Sequence, residues 1–431
     1  MTEQPTPPPT DPRQKILASF GQLGSSLVVP FLAFITAMAV GVLFVFPASM
    51  EWETAAAENA YGREFAAALE NTAQAYNALL EGTTGLTFLT PPILAQQSRQ
   101  TQVFQLLPLG NITFSFIPRN LMNTLVRAVP YVLAGLSVAL AFKAGLFNIG
   151  AEGQLYIGAL FGVWVGFHPA FENAPMLIHL PAVMIAGILG GILWGAIPGF
   201  LKARTGAHEV INTIMLNYIA IRLSDWLIKS KDPIILLDPT SSVPRTPFIF
   251  ESAWYPRLPG TTLHAGIIVA ILVVVFVWWL LQKTTIGFEL RTVGANPNAA
   301  KYAGMSVGRN MVLAMAIAGG LAGLAGISEV MGTQHNLPPG FFAGIGFDGI
   351  AVALLARTNP FAVLPVAFLW AGLLQGAGLV QLRAELSIDL VKIIQALIVM
   401  FVAADQIVRQ LWRVRIARQE DAVQLSRGWG G

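Results

Sequence analysis

Along the chain, apolar residues gather into long runs and polar residues collect between them. Ten runs stand out, near 25–47, 121–142, 152–167, 177–201, 208–228, 262–282, 309–331, 340–356, 360–380 and 387–408. Most approach the ~20 residues that a helix needs to cross about 30 Å of hydrocarbon. Stretches such as Ile267–Leu281 are apolar on every face, and in lipid a helix satisfies its backbone groups within one such segment. The pattern predicts an all-α, polytopic integral membrane protein with about ten transmembrane helices.

Composition sharpens this picture. Apolar residues make up 55% of the 431 and charged residues only 11%, against roughly 45–50% and about 25% in soluble domains. The net charge of +3 comes from basic residues in short intervals, so no field suited to nucleic acid is expected. With no cysteine and five scattered histidines, disulfides, thiolate metal sites and thiol nucleophiles are excluded, and no metal, cofactor or catalytic residue is expected on this chain. A glycine-rich loop followed by Lys-Ser or Lys-Thr is also missing. Any nucleotide-driven work therefore falls to another polypeptide. The spaced glycines of Gly344–Gly349 follow no strand pattern and do not make a dinucleotide site.

Arg13 and Lys15 precede the first run, which ends without a cleavage site and reads as a start-transfer helix. With the N-terminus in the cytoplasm, ten crossings place fifteen of the 26 basic residues inside, among them Lys143, Lys202, Arg204, Lys283, Arg291, Lys301 and the Arg409–Arg427 group. The expected organisation is a cytoplasmic tail over 1–24, a first transmembrane helix over 25–47 and an extracytoplasmic insertion over 48–120. A transmembrane core over 121–410 then carries a cytoplasmic loop at 283–308, and a cytoplasmic tail follows over 411–431. In the insertion, Glu51, Glu53, Glu58, Glu64 and Glu70 among alanines predict one or two surface helices, followed past Pro91-Pro92 by an irregular stretch. It is either a solvated cap or a docking surface. The six prolines of Lys231–Pro259 predict an ordered loop over the bundle.

Polar residues within the runs mark the next layer, since each is costly in hydrocarbon. Glu209, Asn212, Thr213, Asn217 and Ser224 fall along one side of a helix, with Ile211, Ile214, Met215 and Ile219 on the rest. That side is either an interhelical hydrogen-bond seam or a solute-lining wall. In Phe147–Gln154, Asn148 can cap the following helix and Glu152 falls in its first turn, where the dipole favours a carboxylate. A capped helix start explains the segment, and so does a broken helix lining a solute path. Pro338–Asp348 has a similar form, with Asp348 on a path or paired with a neighbouring helix. Glycines four apart, as in Gly191, Gly195 and Gly199, Gly319 and Gly323, or Gly372 and Gly376, predict close helix contacts.

The most specific segment is Thr285–Met305. Asn296 is placed as N-cap, Pro297 as the first helical residue, Ala299, Ala300, Lys301, Tyr302 and Ala303 as the body, and Gly304 as the stop. The result is a short rigid knob, either an ordinary loop helix or an element that transmits a push.

Gly145–Gln154, Glu209–Tyr218, Gly294–Met305 and Gly346–Leu355 stand in an order that resembles the permease family of bacterial ABC importers for branched-chain amino acids and simple sugars. The nucleoside and simple-sugar branch fits best. Similarity covers roughly 121–410, with a weaker echo at Tyr76–Gly82. The resemblance implies a multi-pass inner-membrane permease that works by alternating access. It also implies a cytoplasmic ATP-binding cassette ATPase that uses the ATP, a second permease subunit and an extracytoplasmic substrate-binding protein or lipoprotein. Membrane lipid surrounds the assembly.

On that basis the expected path residues are Asn148, Glu152, Gln154, Asn212, Asn217 and Asp348. The expected coupling residues are Gly294, Ala295, Asn296, Pro297, Ala299, Ala300, Lys301, Tyr302 and Gly304. The solute class is a ribonucleoside or monosaccharide, with a purine nucleoside first. Two other classes stand beside this one. In an ion-gradient-driven secondary transporter Glu152, Glu209 and Asp348 would carry the ion, and a non-transporting anchor would need none of them. The insertion departs from the family pattern near 48–75 and 83–120.

Overall fold

A computed structural model describes residues 12–52, 61–342 and 344–413. Helix α1 (Pro12–Ala48) leads into an insertion of α2 (Tyr61–Thr84), β1 (Leu86–Leu89), α3 (Pro91–Gln100), β2 (Phe104–Leu109) and β3 (Ile112–Phe116). The chain continues through α4 (Pro118–Lys143), α5 (Ala151–Gly166), α6 (Met176–Thr205) and α7 (Glu209–Lys229), then a long loop. After it come α8 (Gly266–Lys283), α9 (Thr285–Ala295), α10 (Pro297–Tyr302) and α11 (Val307–Glu329). The last helices are α12 (Ile345–Leu355), α13 (Pro360–Ala384), α14 (Ile388–Ala403) and α15 (Asp405–Leu411). Calls on residues 1–11, on Glu53 and Glu58, and on Arg415, Arg418 and Arg427 lie outside the described residues.

A helix occupies each of the ten apolar runs, and among the described residues six helices are long and apolar enough to cross a membrane. These are Val28–Ala48 of α1, then α4, α6, α8, α11 with its π-turn extension to Gln334, and α13. The run at 340–356 is corrected by the structure. Its helix, α12, has 11 residues, about 16 Å at 1.5 Å per residue, half of what a crossing needs. The Pro338-Pro-Gly segment ahead of it is spent on turns. Helix α5, with 16 residues, is also short, and a largely buried connection precedes it.

Helices α6 and α11 pack along the predicted glycine seam. A Cβ on Gly191 would lie 2.1 Å from the Gly319 carbonyl oxygen, and one on Gly323 would lie 2.3 Å from that of Gly187. In lipid such contact supplies van der Waals packing in place of a hydrophobic drive.

The insertion is not a solvated cap. Helix α2 buries Ala68, Thr72, Ala75, Ala78, Leu79, Glu81, Gly82 and Thr83, because its small residues fit the glycines of α13. A Cβ on Gly82 would sit 2.2 Å from the Gly376 Cα, and one on Gly372 would run into Thr83. Glu81 is 0% exposed and forms a bidentate ion pair with Arg383 of α13. Asn120 Nδ2 also donates to Glu81, at 2.9 Å.

The stretch expected to be irregular contains α3 and a three-stranded antiparallel sheet of order β1-β3-β2. The all-α class thus carries one small sheet. In its register Phe114 faces Phe88 and Leu107, while Phe116 faces Leu86 and Phe104.

The proline-rich segment forms an ordered loop, with Thr246 N–H donating to Leu337 O, Ile249 N–H to His335 O and Tyr255 N–H to Met331 O. Thr262 Oγ1 donates to Asn123 Oδ1 at 2.7 Å, which places this loop at the end of the bundle that holds the insertion. Helices α9 and α10 stand at the opposite end, beside the α4–α5 connection.

Candidate functional site

The α4–α5 connection and the start of α12 bring most of the predicted path residues together. Asn148 was expected to cap α5, but Gly150 is the N-cap residue there and no side chain caps it. Asn148 is fully buried and forms an amide pair with Gln154 instead. Its Nδ2 donates to Gln154 Oε1 at 2.9 Å, and Gln154 Nε2 donates to Asn148 Oδ1 at 3.0 Å. A second Nδ2 hydrogen reaches Ser137 Oγ at 3.3 Å. Pairing two amides face to face satisfies both at once, which a single cap bond would not. Asn217 of α7 closes the other side of the break. It accepts from Gly153 N–H at 2.8 Å and donates to Ile149 O at 3.0 Å.

Glu152 lies in the first turn of α5, yet its carboxylate serves another helix. Oε1 accepts from Gly344 N–H at 3.0 Å and Oε2 from Gly346 N–H at 2.6 Å. It therefore caps α12, where free N–H groups and the helix dipole favour a negative charge. The two helix starts touch backbone to backbone, since a Cβ on Gly346 would lie 2.3 Å from the Glu152 nitrogen.

Asp348 follows in the first turn of α12. Tyr131 of α4 is within electrostatic reach of Asp348, Glu152, Glu329 and Arg127. Thr333 Oγ1 donates to Glu329 Oε1 at 2.8 Å. Sequence inspection passed over Tyr131, Glu329 and Arg127, although a lone carboxylate in an apolar run was the signal for Glu329.

These residues divide by what is left for a solute. The donors and acceptors of Asn148, Gln154 and Asn217 are committed to the protein, so they hold the broken helices. Asp348, Tyr131 and Glu329 keep polar capacity around the α12 start. Asn212 takes no part in the hydrogen bonds described for the α5–α12 junction. It is half-buried, and its Nδ2 finds no hydrogen-bond partner among the described residues. The polar side of α7 is otherwise as expected, with Glu209, Thr213, Asn217 and Ser224 buried and Ile211, Met215 and Ile219 exposed. Glu209 pairs with Lys202 across the α6–α7 turn. Two cavities lie elsewhere, one lined by Phe31, Phe34, Leu369 and Trp370 and one by Ser49, Asn71, Arg383 and Glu385. Neither is lined by the path residues.

The residues expected to couple form the predicted knob. Asn296 Oδ1 accepts from the N–H groups of Asn298 at 3.0 Å and Ala299 at 3.1 Å, and Pro297 starts the helix. Gly304, with φ +82°, ends it, and Met305 N–H donates to Ala300 O across the turn. Ala300 is buried, while Tyr302 is 95% exposed. Gly294 and Ala295 finish α9 just before the knob. A Cβ on Gly294 would lie 2.3 Å from Lys143 O and 2.7 Å from Gly145 N, so the root of the knob rests on the segment that leads to Asn148. Asn310 Nδ2 donates to Glu289 Oε2 at 2.9 Å and ties α9 to α11, a bracing pair not singled out from sequence.

The chain is 44% identical over 293 residues to the guanosine ABC transporter permease protein NupP of Bacillus subtilis, a match covering 67% of this chain and 82% of that one. It is 39% identical over 299 residues to the nucleoside ABC transporter permease protein NupB of Lactococcus lactis, covering 67% and 80%. To the glucose ABC transporter permease protein TsgB13 of Haloferax volcanii it is 35% identical over 308 residues, covering 69% and 79%. The sequence profile described as "Branched-chain amino acid transport system / permease component" matches residues 120–403. That span takes in every helix from α4 to α14, and the chain is a multi-pass membrane permease belonging to this family.

Proposed function

We propose that this chain forms the membrane pathway of an ATP-driven importer for a neutral polar solute, a purine nucleoside first and a simple sugar second. ABC permeases of this family work with an ATPase and a substrate-binding protein. The names of the guanosine, nucleoside and glucose relatives support the solute class. The α12 N-terminus supports it further. Broken-helix N-termini in transporters can receive anionic solute groups, but here Glu152 already fills that position. A solute carboxylate would meet a carboxylate, whereas hydroxyls and base edges can pair with Asp348, Tyr131, Glu329 and Asn212.

In this proposal the ATPase grips α10 from the cytoplasm and the binding protein feeds the insertion end, beside a second permease subunit. The observation that carries the mechanism is the backbone contact of Gly294 with Lys143 and Gly145. A push on α10 travels through α9 into the α4–α5 connection, and the paired starts of α5 and α12 rearrange around it. The chain has no cysteine, so Ala299→Cys and Lys301→Cys give single crosslinking sites. Both are expected to capture an ATP-hydrolysing subunit in a transporting complex. Uptake of labelled guanosine should need ATP inside the cell, persist with an uncoupler at constant ATP, and resist competition by leucine. Capture of no ATPase, or leucine competing as well as guanosine, overturns the proposal.

A further inference from the structure

The small sheet of the insertion is built inside out. Cross-strand register puts Leu86 and Phe88 of β1, Ile112, Phe114 and Phe116 of β3, and Phe104, Leu107 and Leu109 of β2 on one face. Every residue on it is apolar. Phe88, Phe104, Leu107, Leu109 and Ile112 are exposed. The opposite face carries Thr87 and Ser115, both 0% exposed, together with the buried Leu89. Asn77 of α2 holds the backbone of β1, accepting from Phe88 N–H at 2.8 Å and donating to Phe88 O at 2.9 Å. A sheet on a water-facing cap would do the reverse, burying the apolar side and solvating the polar one.

We propose that this apolar face lies in the membrane–water interface of the leaflet at the insertion end and anchors the insertion to lipid. Three observations select lipid as the occupant. First, the sheet is rooted where a membrane helix begins. Phe116 ends β3 two residues before α4, and Ile117 N–H donates to Gly85 O at 2.7 Å, so the sheet is held at the level where this membrane helix starts. Second, the face carries no charged or polar group with which to select a protein partner. Third, the free edge strand β2 is blunted by Pro108 and by a register shift between Gln105 and Leu107, which disfavours pairing with a strand of another chain. The unpaired backbone of that edge is not tolerated in the hydrocarbon core. The sheet therefore lies flat at the headgroup and upper acyl level, with its edge in the hydrated region.

The cysteine-free sequence makes the test direct. Phe104→Cys, Leu107→Cys and Leu109→Cys are labelled one at a time with an environment-sensitive fluorophore, in the full-length permease in phosphatidylcholine nanodiscs, alone and within its complex. Quenching by a lipid nitroxide placed shallow on the acyl chain is compared with quenching by aqueous iodide. Glu172→Cys, exposed on the loop after α5, is the aqueous control. The three sheet labels are expected to respond to the shallow nitroxide about threefold more strongly than the control, and to iodide about threefold less, as for an element a few ångströms into the interface. Iodide quenching equal to the control overturns the proposal. So does shielding from both quenchers, which would mean that a protein surface, a second copy or a partner, covers the face. Three separate positions guard against one variant that misfolds.

Discussion

Two helix starts in this molecule are stabilised by the same chemistry at opposite ranges. Helix α10 is capped from within its own sequence, by Asn296 accepting from Asn298 and Ala299. Helix α12 is capped by Glu152, whose bonds to Gly344 and Gly346 span 192 and 194 positions. The first cap is exposed and shapes a handle. The second is buried and joins two short helices into one junction. Both solve the problem of unsatisfied N–H groups, but only the second makes the fold of one region depend on another.

Removing the distant cap should have the largest effect. Glu152→Ala leaves two interior N–H groups unpaired, at about 1–3 kcal/mol each. A large drop in Tm and loss of uptake are expected, with Glu152→Gln in between. A wild-type Tm for Glu152→Ala would show that the junction is not held this way. Next comes Asn217→Leu, which strands Gly153 N–H and Ile149 O in the same fashion. Uptake should fall at normal membrane abundance, and uptake at the wild-type rate would remove Asn217 from the junction.

The local cap should cost less and act elsewhere. Asn296→Ala is expected to lose about 1 kcal/mol, confined to α10, leaving the global Tm nearly unchanged while ATPase coupling weakens. Asn296→Asp should restore coupling, since it keeps the acceptor. If Asn296→Ala lowers Tm as far as Glu152→Ala does, the contrast between local and distant caps fails.

A smaller effect, at the insertion end, is read by pH. Burial, followed by the nearby Arg257 charge, pushes His264 and His335 down to about 4, from about 6.5 in an unfolded chain. Between those values the unfolded state binds more protons, so stability is full above pH 6.5 and falls as pH drops toward 4. His335→Asn tolerates the left-handed backbone at this position, φ +60°, and should flatten the slope of Tm against pH over that window. An unchanged slope would remove His335 from the pair. Smallest of all, Tyr302→Ala at a 95% exposed site should leave Tm unmoved and show only in crosslinking yield to the ATPase.

The range of each interaction also explains which features could be read in advance. The knob was legible from Asn296 to Gly304 because cap, proline and stop lie within nine residues of one another. The buried side of α7 was legible because helical periodicity repeats over 21 residues. Glu152 was recognised as a carboxylate at a helix start, but assigned to its own helix, since nothing nearby announces Gly344. Asn148 was misassigned for a different reason: its partners Ser137 and Gln154 flank it, and only packing decides that they outcompete a cap. In the insertion, alternation in Ile112–Phe116 held a strand signal. In Phe104–Leu109 the adjacent Leu106 and Leu107 break the alternation and Pro108 interrupts the run, which hid the partner. Helix α2 read as a surface helix because its buried side is made of alanine, threonine and glycine, which reveal burial only when the glycines of α13 lie opposite.

The amino-acid sequence alone determined that this chain lives in a membrane, how many helical runs it has, which side of α7 turns inward, and where the knob begins and ends. Each of these follows from interactions within a few turns or from the gross cost of placing polar groups in lipid. Tertiary structure decided that the starts of α5 and α12 meet, that Glu152 closes the second of them, that α2 joins the bundle wall, and that the sheet turns its apolar face outward. Those outcomes depend on which distant backbones can approach without a side chain between them, and buried donors accept whichever partner that approach brings.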